Sequence, residues 1–185
     1  MKLAYVLFDN ITWLDFIGVY DPLTRLKSLN YLPDLTWDLC SYAGSVYDNF
    51  GLEVKVSKVN TSLTGYDAII IPGGHGTRTL VHDRAFIDWI KTAASSTYKI
   101  SICTGSLILG AAGFLAGRKA TTHFSEYDTL KTYCREVLAE RIVEDGDIIT
   151  AGAVSASIDL GLYLCNKWAG PEAANHIRKR IDYHG

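Results

Sequence analysis

The sequence predicts an α/β sandwich, with a mostly parallel central sheet and helices on both faces. Strand-like and helical patterns alternate along the chain. The strand-like segments are continuously apolar rather than alternating, which suits strands buried on both faces. With 185 residues, 48% of them hydrophobic, the chain reads as one domain spanning residues 1–185. A domain of that size buries roughly 70% of its unfolded surface.

Leu3 to Phe8 is the first buried strand, closed by Asp9-Asn10, and helical spacing follows from Leu14 to Leu29. Trp37 to Tyr42 alternates weakly and reads as the second strand. Turn residues at 43–45 and 48–49 precede a short strand or ribbon over Leu52 to Val59. Asp67 to Ile71 is an apolar strand that runs into Pro72-Gly73-Gly74-His75-Gly76. Phe86, Ile87, Ile90 and Ala94 carry helical spacing over Arg84 to Ala94. The strand ending at Ile102 turns at Cys103-Thr104-Gly105-Ser106 into a small-residue helix over Leu107 to Phe114. Ile142-Val143 and Asp147 to Ala151 bracket Glu144-Asp145-Gly146 as a hairpin. Val154 to Trp168 is an apolar helix, Gly170 stops it, and Pro171 opens the last one.

Composition excludes several functions. A net charge of -2 and a pI near 6.2 leave no footprint for nucleic acid or an anionic membrane. The opening apolar run stops at Asp9, too short for a signal peptide or a bilayer span. Cys40, Cys103, Cys134 and Cys165 are scattered, without a C-x-x-C pair. That pattern suits reduced thiols in a cytoplasmic protein and argues against structural zinc. No cofactor is implied, because there is no metal-ligand cluster or Walker loop, and the glycine run is too short for a dinucleotide fingerprint.

In open α/β sheets, sites form beyond the carboxyl ends of the strands. Three loops qualify: those after Phe8, Ile71 and Ile102. Cys103 sits in a strand–turn–helix elbow near the first amides of a helix, where unpaired N–H groups and the helix dipole favour a thiolate. The plain alternative is a buried, inert thiol. Gly73 and Gly74 allow close backbone approach, so with the Thr104 amide they are expected to form an oxyanion hole. They also serve as a tight turn. Asp15, among Trp13, Leu14, Phe16 and Ile17, is either a carboxylate complementing a helix dipole or one with a raised pKa that exchanges protons with Cys103. Trp13 and Phe16 are either pocket-lining or core. Asp9 and Asp21 read as cap and turn residues. Arg178-Lys179-Arg180 complements the C-terminus of the last helix.

Ile70-Ile71-Pro72-Gly73-Gly74, Ile102-Cys103-Thr104-Gly105 and Ala120-Thr121-Thr122-His123, in that order, resemble the ThiJ/PfpI superfamily over nearly the whole chain. The resemblance implies a class I glutamine-amidotransferase-like, flavodoxin-like fold. Thr12-Trp13-Leu14-Asp15-Phe16-Ile17-Gly18 and the closing Ile181-Asp182-Tyr183 are similar to the isonitrile hydratase branch, whereas other branches commonly have glutamate where Asp15 stands. The PfpI-type peptidases place a histidine directly after the cysteine. Thr104 occupies that position here, which argues against a peptidase.

By resemblance, the Cys103 thiolate attacks an isocyanide, Asp15 handles the proton, and the thioimidate is hydrolysed to an N-formamide. Thr104 supplies an amide and a hydroxyl. His75 rims the pocket, and His123 stands near the nucleophile in a chemical, supporting or interface role. A homodimer acting on a small molecule is implied. Three alternatives accompany the hydratase: a glyoxalase or deglycase for α-dicarbonyls, a redox sensor or chaperone, and the sensing half of an AraC-like regulator. The last is ranked lowest, because no helix-turn-helix domain follows in the chain.

Overall fold

Leu3–Val6, Ala68–Ile71 and Ile148–Ala151 are buried residue for residue, which places their strands in the middle of a covered sheet. The structure, a computed structural model, describes Met1–Gly185. Its strands are β1 (Lys2–Val6), β2 (Thr36–Ser41), β3 (Ser45–Tyr47), β4 (Glu53–Lys55), β5 (Lys58–Val59), β6 (Ala68–Ile71), β7 (Tyr98–Ile102), β8 (Lys119–Ala120), β9 (Glu136–Val137), β10 (Ile142–Asp145) and β11 (Ile148–Ala151). Its helices are α1 (Trp13–Ser28), α2 (Thr77–Leu80), α3 (Arg84–Lys91), α4 (Gly105–Ala111), α5 (Tyr127–Leu130) and α6 (Ala156–Arg180).

Seven strands form one sheet in the order β10-β11-β7-β6-β1-β2-β5. Every pairing is parallel except the β10–β11 hairpin. This is the expected α/β architecture, with helices flanking a mostly parallel sheet. From β1 the chain crosses to β2 on one side, then returns to add β6 and β7 on the other. The strand order therefore reverses between β1 and β6, and a crevice opens at their carboxyl ends.

Several boundaries differ from the sequence reading, and α3 and α4 end three residues earlier than expected, at Lys91 and Ala111. The expected ribbon over Leu52 to Val59 splits into β4, which pairs with β3, and β5, which adds to the sheet edge. The helix after Cys103 begins two residues earlier than expected, at Gly105. Gly170 breaks α6 with φ 85° and ψ 171°, a conformation open to glycine, and Pro171 restarts it as expected.

The packing of α1 on α6 is close because both contacts use glycine. A Cβ on Gly161 would stand 2.9 Å from Pro22 Cγ and 3.0 Å from the Gly18 carbonyl oxygen. The Ser157 hydroxyl is shared between the Val154 carbonyl at 2.7 Å and the Leu14 carbonyl at 3.0 Å, and the Cys165 thiol donates to the Pro22 carbonyl at 3.5 Å. These contacts hold the first turn of α1, which carries Asp15, against the rest of the molecule. No helix is long and apolar enough to cross a membrane.

Candidate active site

Cys103 lies between the end of β7 and the start of α4 with φ 53°, a left-handed conformation that costs a non-glycine residue on the order of 1–3 kcal/mol. Four hydrogen bonds impose it. Its N–H donates to the carbonyls of Ala151 and Gly152 at 3.0 and 2.9 Å. Its carbonyl accepts from the hydroxyls of Thr122 at 2.9 Å and Ser106 at 3.2 Å. The turn is held from both neighbouring elements, and the thiol is presented at the crevice.

Asp15 is 0% exposed, although it sits in the first turn of α1. Its Oδ2 accepts from the Gly73 N–H at 2.9 Å, while Oδ1 has no aligned hydrogen-bond partner. Gly73 explains how carboxyl and thiol come together. A Cβ there would stand 2.8 Å from Asp15 Oδ2, 2.8 Å from Cys103 Cβ and 2.7 Å from the Thr104 nitrogen. Only a glycine lets all three groups close on one point.

Burial lifts the Asp15 carboxyl to about 7, against the smaller opposing effects of the Gly73 N–H and the Cys103 thiol. Burial also pushes the Cys103 thiol up to about 12, and the Asp15 charge adds to this. The N–H groups of Thr104 and Val154 oppose it. This corrects the expectation that helix amides and dipole hold a ready thiolate. Those amides are present, but burial and a neighbouring carboxylate outweigh them. The pair holds one negative charge above neutral pH, on carboxylate or on sulfur. Transfer of the thiol proton to Asp15 removes the repulsion and leaves the sulfur facing the two N–H donors.

The expected oxyanion hole is also corrected. The Gly73 N–H is committed to Asp15, and the Gly74 N–H donates to Thr104 Oγ1 at 3.0 Å. The same hydroxyl faces the Gly74 carbonyl at 3.2 Å, so Thr104 ties the glycine loop to the cysteine turn. The backbone donors at sulfur are those of Thr104 and Val154. Val154 belongs to a fourth loop, after β11, that the three-loop reading missed. A backbone amide leaves no mark on residue type.

A cavity of about 300 Å³ opens over the sulfur, lined by Gly74, Thr104 and Val154 and walled by Thr12, His75, Arg78, His123 and Ser125. His75 is an exposed rim residue, as the sequence suggests. His123 reaches the cavity, but its Nδ1 is engaged by the Ser125 hydroxyl at 2.9 Å and backbone N–H at 3.2 Å. Its ring stacks on Phe124 at 4.3 Å. Trp13 and Phe16 do not line the cavity. Phe16 is core, packed edge-on against Tyr5 at 5.3 Å. Arg78 was not anticipated, although it is the only Lys, Arg, Asp or Glu between Asp67 and Asp83. The other cysteines are free thiols away from the site, Cys40 and Cys165 buried and Cys134 half-buried.

Fold and site define a class of open parallel α/β proteins that hold a cysteine and a buried carboxyl together at the switch point. The chain belongs to the DJ-1/PfpI family, whose model matches residues 6–167. It is 35% identical over 185 residues to an isonitrile hydratase of Pseudomonas putida, covering 99% of this chain and 78% of that one. It is 23% identical to the HTH-type transcriptional regulator GbdR of Pseudomonas aeruginosa, of which it spans 50% of the length. A glutathione-independent glyoxalase of Caenorhabditis elegans is 30% identical over 117 residues, 63% of this chain and 62% of that one. Among solved structures, a ThiJ/PfpI family protein from Pseudomonas syringae superposes with a TM-score of 0.90 at 26% identity. It covers 100% of this chain and 75% of its own.

Proposed function

We propose that the protein is a cysteine-dependent hydratase that converts isocyanides to N-formamides, with Cys103 as nucleophile and Asp15 as the proton carrier. The observation that carries this reading is the buried carboxyl set against a buried thiol, each the titrating group that acts on the other. The similarity to an isonitrile hydratase over 99% of the chain supports the choice of electrophile.

In the proposed cycle, Asp15 takes the thiol proton as sulfur bonds to the terminal carbon of R–N≡C, and returns it to that carbon. The product is a thioimidate, R–N=CH–S–Cys103. Asp15 then draws a proton from water as the oxygen adds to the same carbon, and passes it to the imine nitrogen. The tetrahedral adduct R–NH–CH(OH)–S–Cys103 expels sulfur, the hydroxyl proton passes to sulfur by way of Asp15, and R–NH–CHO leaves. One water is consumed and no redox partner is needed. The Thr104 and Val154 N–H groups steady the charge on sulfur at both ends of the cycle. His123, with Nδ1 occupied, is assigned to the cavity wall rather than to proton transfer. The peptidase arrangement is absent, since Thr104 and not histidine follows the cysteine.

The test is turnover of an aryl isocyanide and of methylglyoxal by the wild type, Cys103→Ala and Asp15→Asn. Loss of isocyanide hydration in both variants is expected. Wild-type hydration by Cys103→Ala would refute the reading. Cysteine-dependent conversion of methylglyoxal alone would move the assignment to the glyoxalase chemistry named for the nematode relative. Selective peroxide oxidation of Cys103 with no turnover of either compound would favour a redox sensor. The proposed working form is a cytoplasmic homodimer, and its oligomeric state is measurable by sedimentation equilibrium.

A further inference from the structure

The wall of the cavity above Cys103 carries polar side chains over a partly apolar surface. Of nine lining residues, only Cys103 and Val154 are apolar. The polar groups are moreover biased toward donation. Arg78 places a guanidinium at the wall, with Nη2 donating to Glu126 Oε1 at 2.6 Å. The other Glu126 oxygen accepts from the Thr129 hydroxyl at 3.0 Å. Both carboxylate oxygens are thereby engaged, and Glu126 itself does not line the cavity. The ion pair orients Arg78 while its remaining N–H groups stay available, since a guanidinium carries five donors.

His123 contributes in the same sense. A backbone N–H donates to its Nδ1, so that nitrogen holds no proton, and in the neutral ring Nε2 must carry it. Thr12 adds a hydroxyl to the lining, while the Ser125 hydroxyl is spent on His123 Nδ1. No carboxylate lines the cavity. Asp15 lies behind the sulfur, 0% exposed.

We infer that the preferred substrate carries an anionic oxygen group, such as a carboxylate, that Arg78 and the His123 Nε2–H receive while Cys103 meets the electrophilic carbon. This rests on the hydratase reading for the electrophile but not for the anion. One oriented guanidinium beside an imidazole N–H suits a carboxylate. Arg78 is then a specificity-determining residue.

The test compares kcat/KM for isocyanoacetate with that for its methyl ester, the same skeleton without the charge. The wild type should favour the carboxylate at least tenfold, and the preference should shrink as salt is raised, because the guanidinium is partly exposed. Arg78→Gln should lower kcat/KM on isocyanoacetate at least tenfold more than on the ester, and Arg78→Lys should keep part of the preference. Equal use of both substrates by the wild type, or an equal loss on both in Arg78→Gln, would overturn the inference. Calorimetric binding of N-formylglycinate against N-formylglycinamide separates the two claims. If neither isocyanide is hydrated but the carboxylate binds tighter through Arg78, the hydratase reading fails and the anion site stands. If the two formamides bind alike, the anion site fails whatever the turnover.

Discussion

Replacing Asp15 with asparagine should change how stability depends on pH, by an amount the structure sets. The amide keeps an oxygen for the Gly73 N–H and is neutral at every pH, like the protonated acid. In the wild type, burial raises the carboxyl from 3.8 to about 7. Between those values the folded protein holds a proton that the unfolded chain has released. Stability is therefore full below about pH 4 and declines as pH rises through about 7, where it levels off. At about 1.36 kcal/mol per pH unit, the difference amounts to roughly 4 kcal/mol. The Cys103 thiol, pushed from 9.0 to about 12, adds its own loss only above about pH 9. Urea unfolding of wild type and Asp15→Asn at pH 4.5, 6 and 8 isolates the carboxyl. The variant should gain on the wild type progressively across that range, by about 3 kcal/mol between pH 4.5 and 8, with unchanged m-values. Parallel curves would show that Asp15 titrates normally, and the shared-proton account of the site would fall with it.

Other expected outcomes follow from the same contacts. Because the proton-accepting form is reached near 7, kcat/KM for hydration should rise with pH through about 7, and Asp15→Asn should lose that limb along with most of the rate. Gly73→Ala should abolish turnover and cost about 1–3 kcal/mol in thermal or urea unfolding, since its Cβ would press on Asp15, Cys103 and Thr104 at 2.7–2.8 Å. Thr104→Val should cost about 1–3 kcal/mol by leaving the buried Gly74 N–H unpaired, and Thr104→Ser should recover most of it. Gly161→Ala should destabilise by a similar amount, about 1–3 kcal/mol, read by the same unfolding measurement, because Pro22 and the Gly18 carbonyl leave no room for a methyl group.

The parts legible in the sequence are those decided by neighbours along the chain. Continuous apolar runs announce β1 and β6, because a strand covered on both faces favours apolar side chains at every position, while apolar-rich runs broken by Lys99 and Ser101 in β7 and by Thr150 in β11 still mark those strands. Turn residues locate the crevice loops, and the break at Gly170-Pro171 follows from backbone freedom and a missing N–H. The two-residue strands β8 and β9 were not legible. Nothing local makes Lys119–Ala120 or Glu136–Val137 extended; they pair only because the chain returns there.

The site divides along the same line. Cys103 announces itself by its turn, but its protonation depends on Asp15, and their meeting depends on Gly73, 58 residues from Asp15 in the chain. Read locally, Gly73 is a turn residue that lets backbone approach a substrate. In the folded chain its missing side chain admits two titrating groups instead, and its N–H is spent on holding one of them. The helix dipole, a local property, pointed to a ready thiolate. Burial, a property of the whole fold, outweighs it and pushes the thiol toward its protonated form. The protonation of this cysteine is thus decided by the packing of three loops around one glycine, which residue types along the elbow alone do not specify.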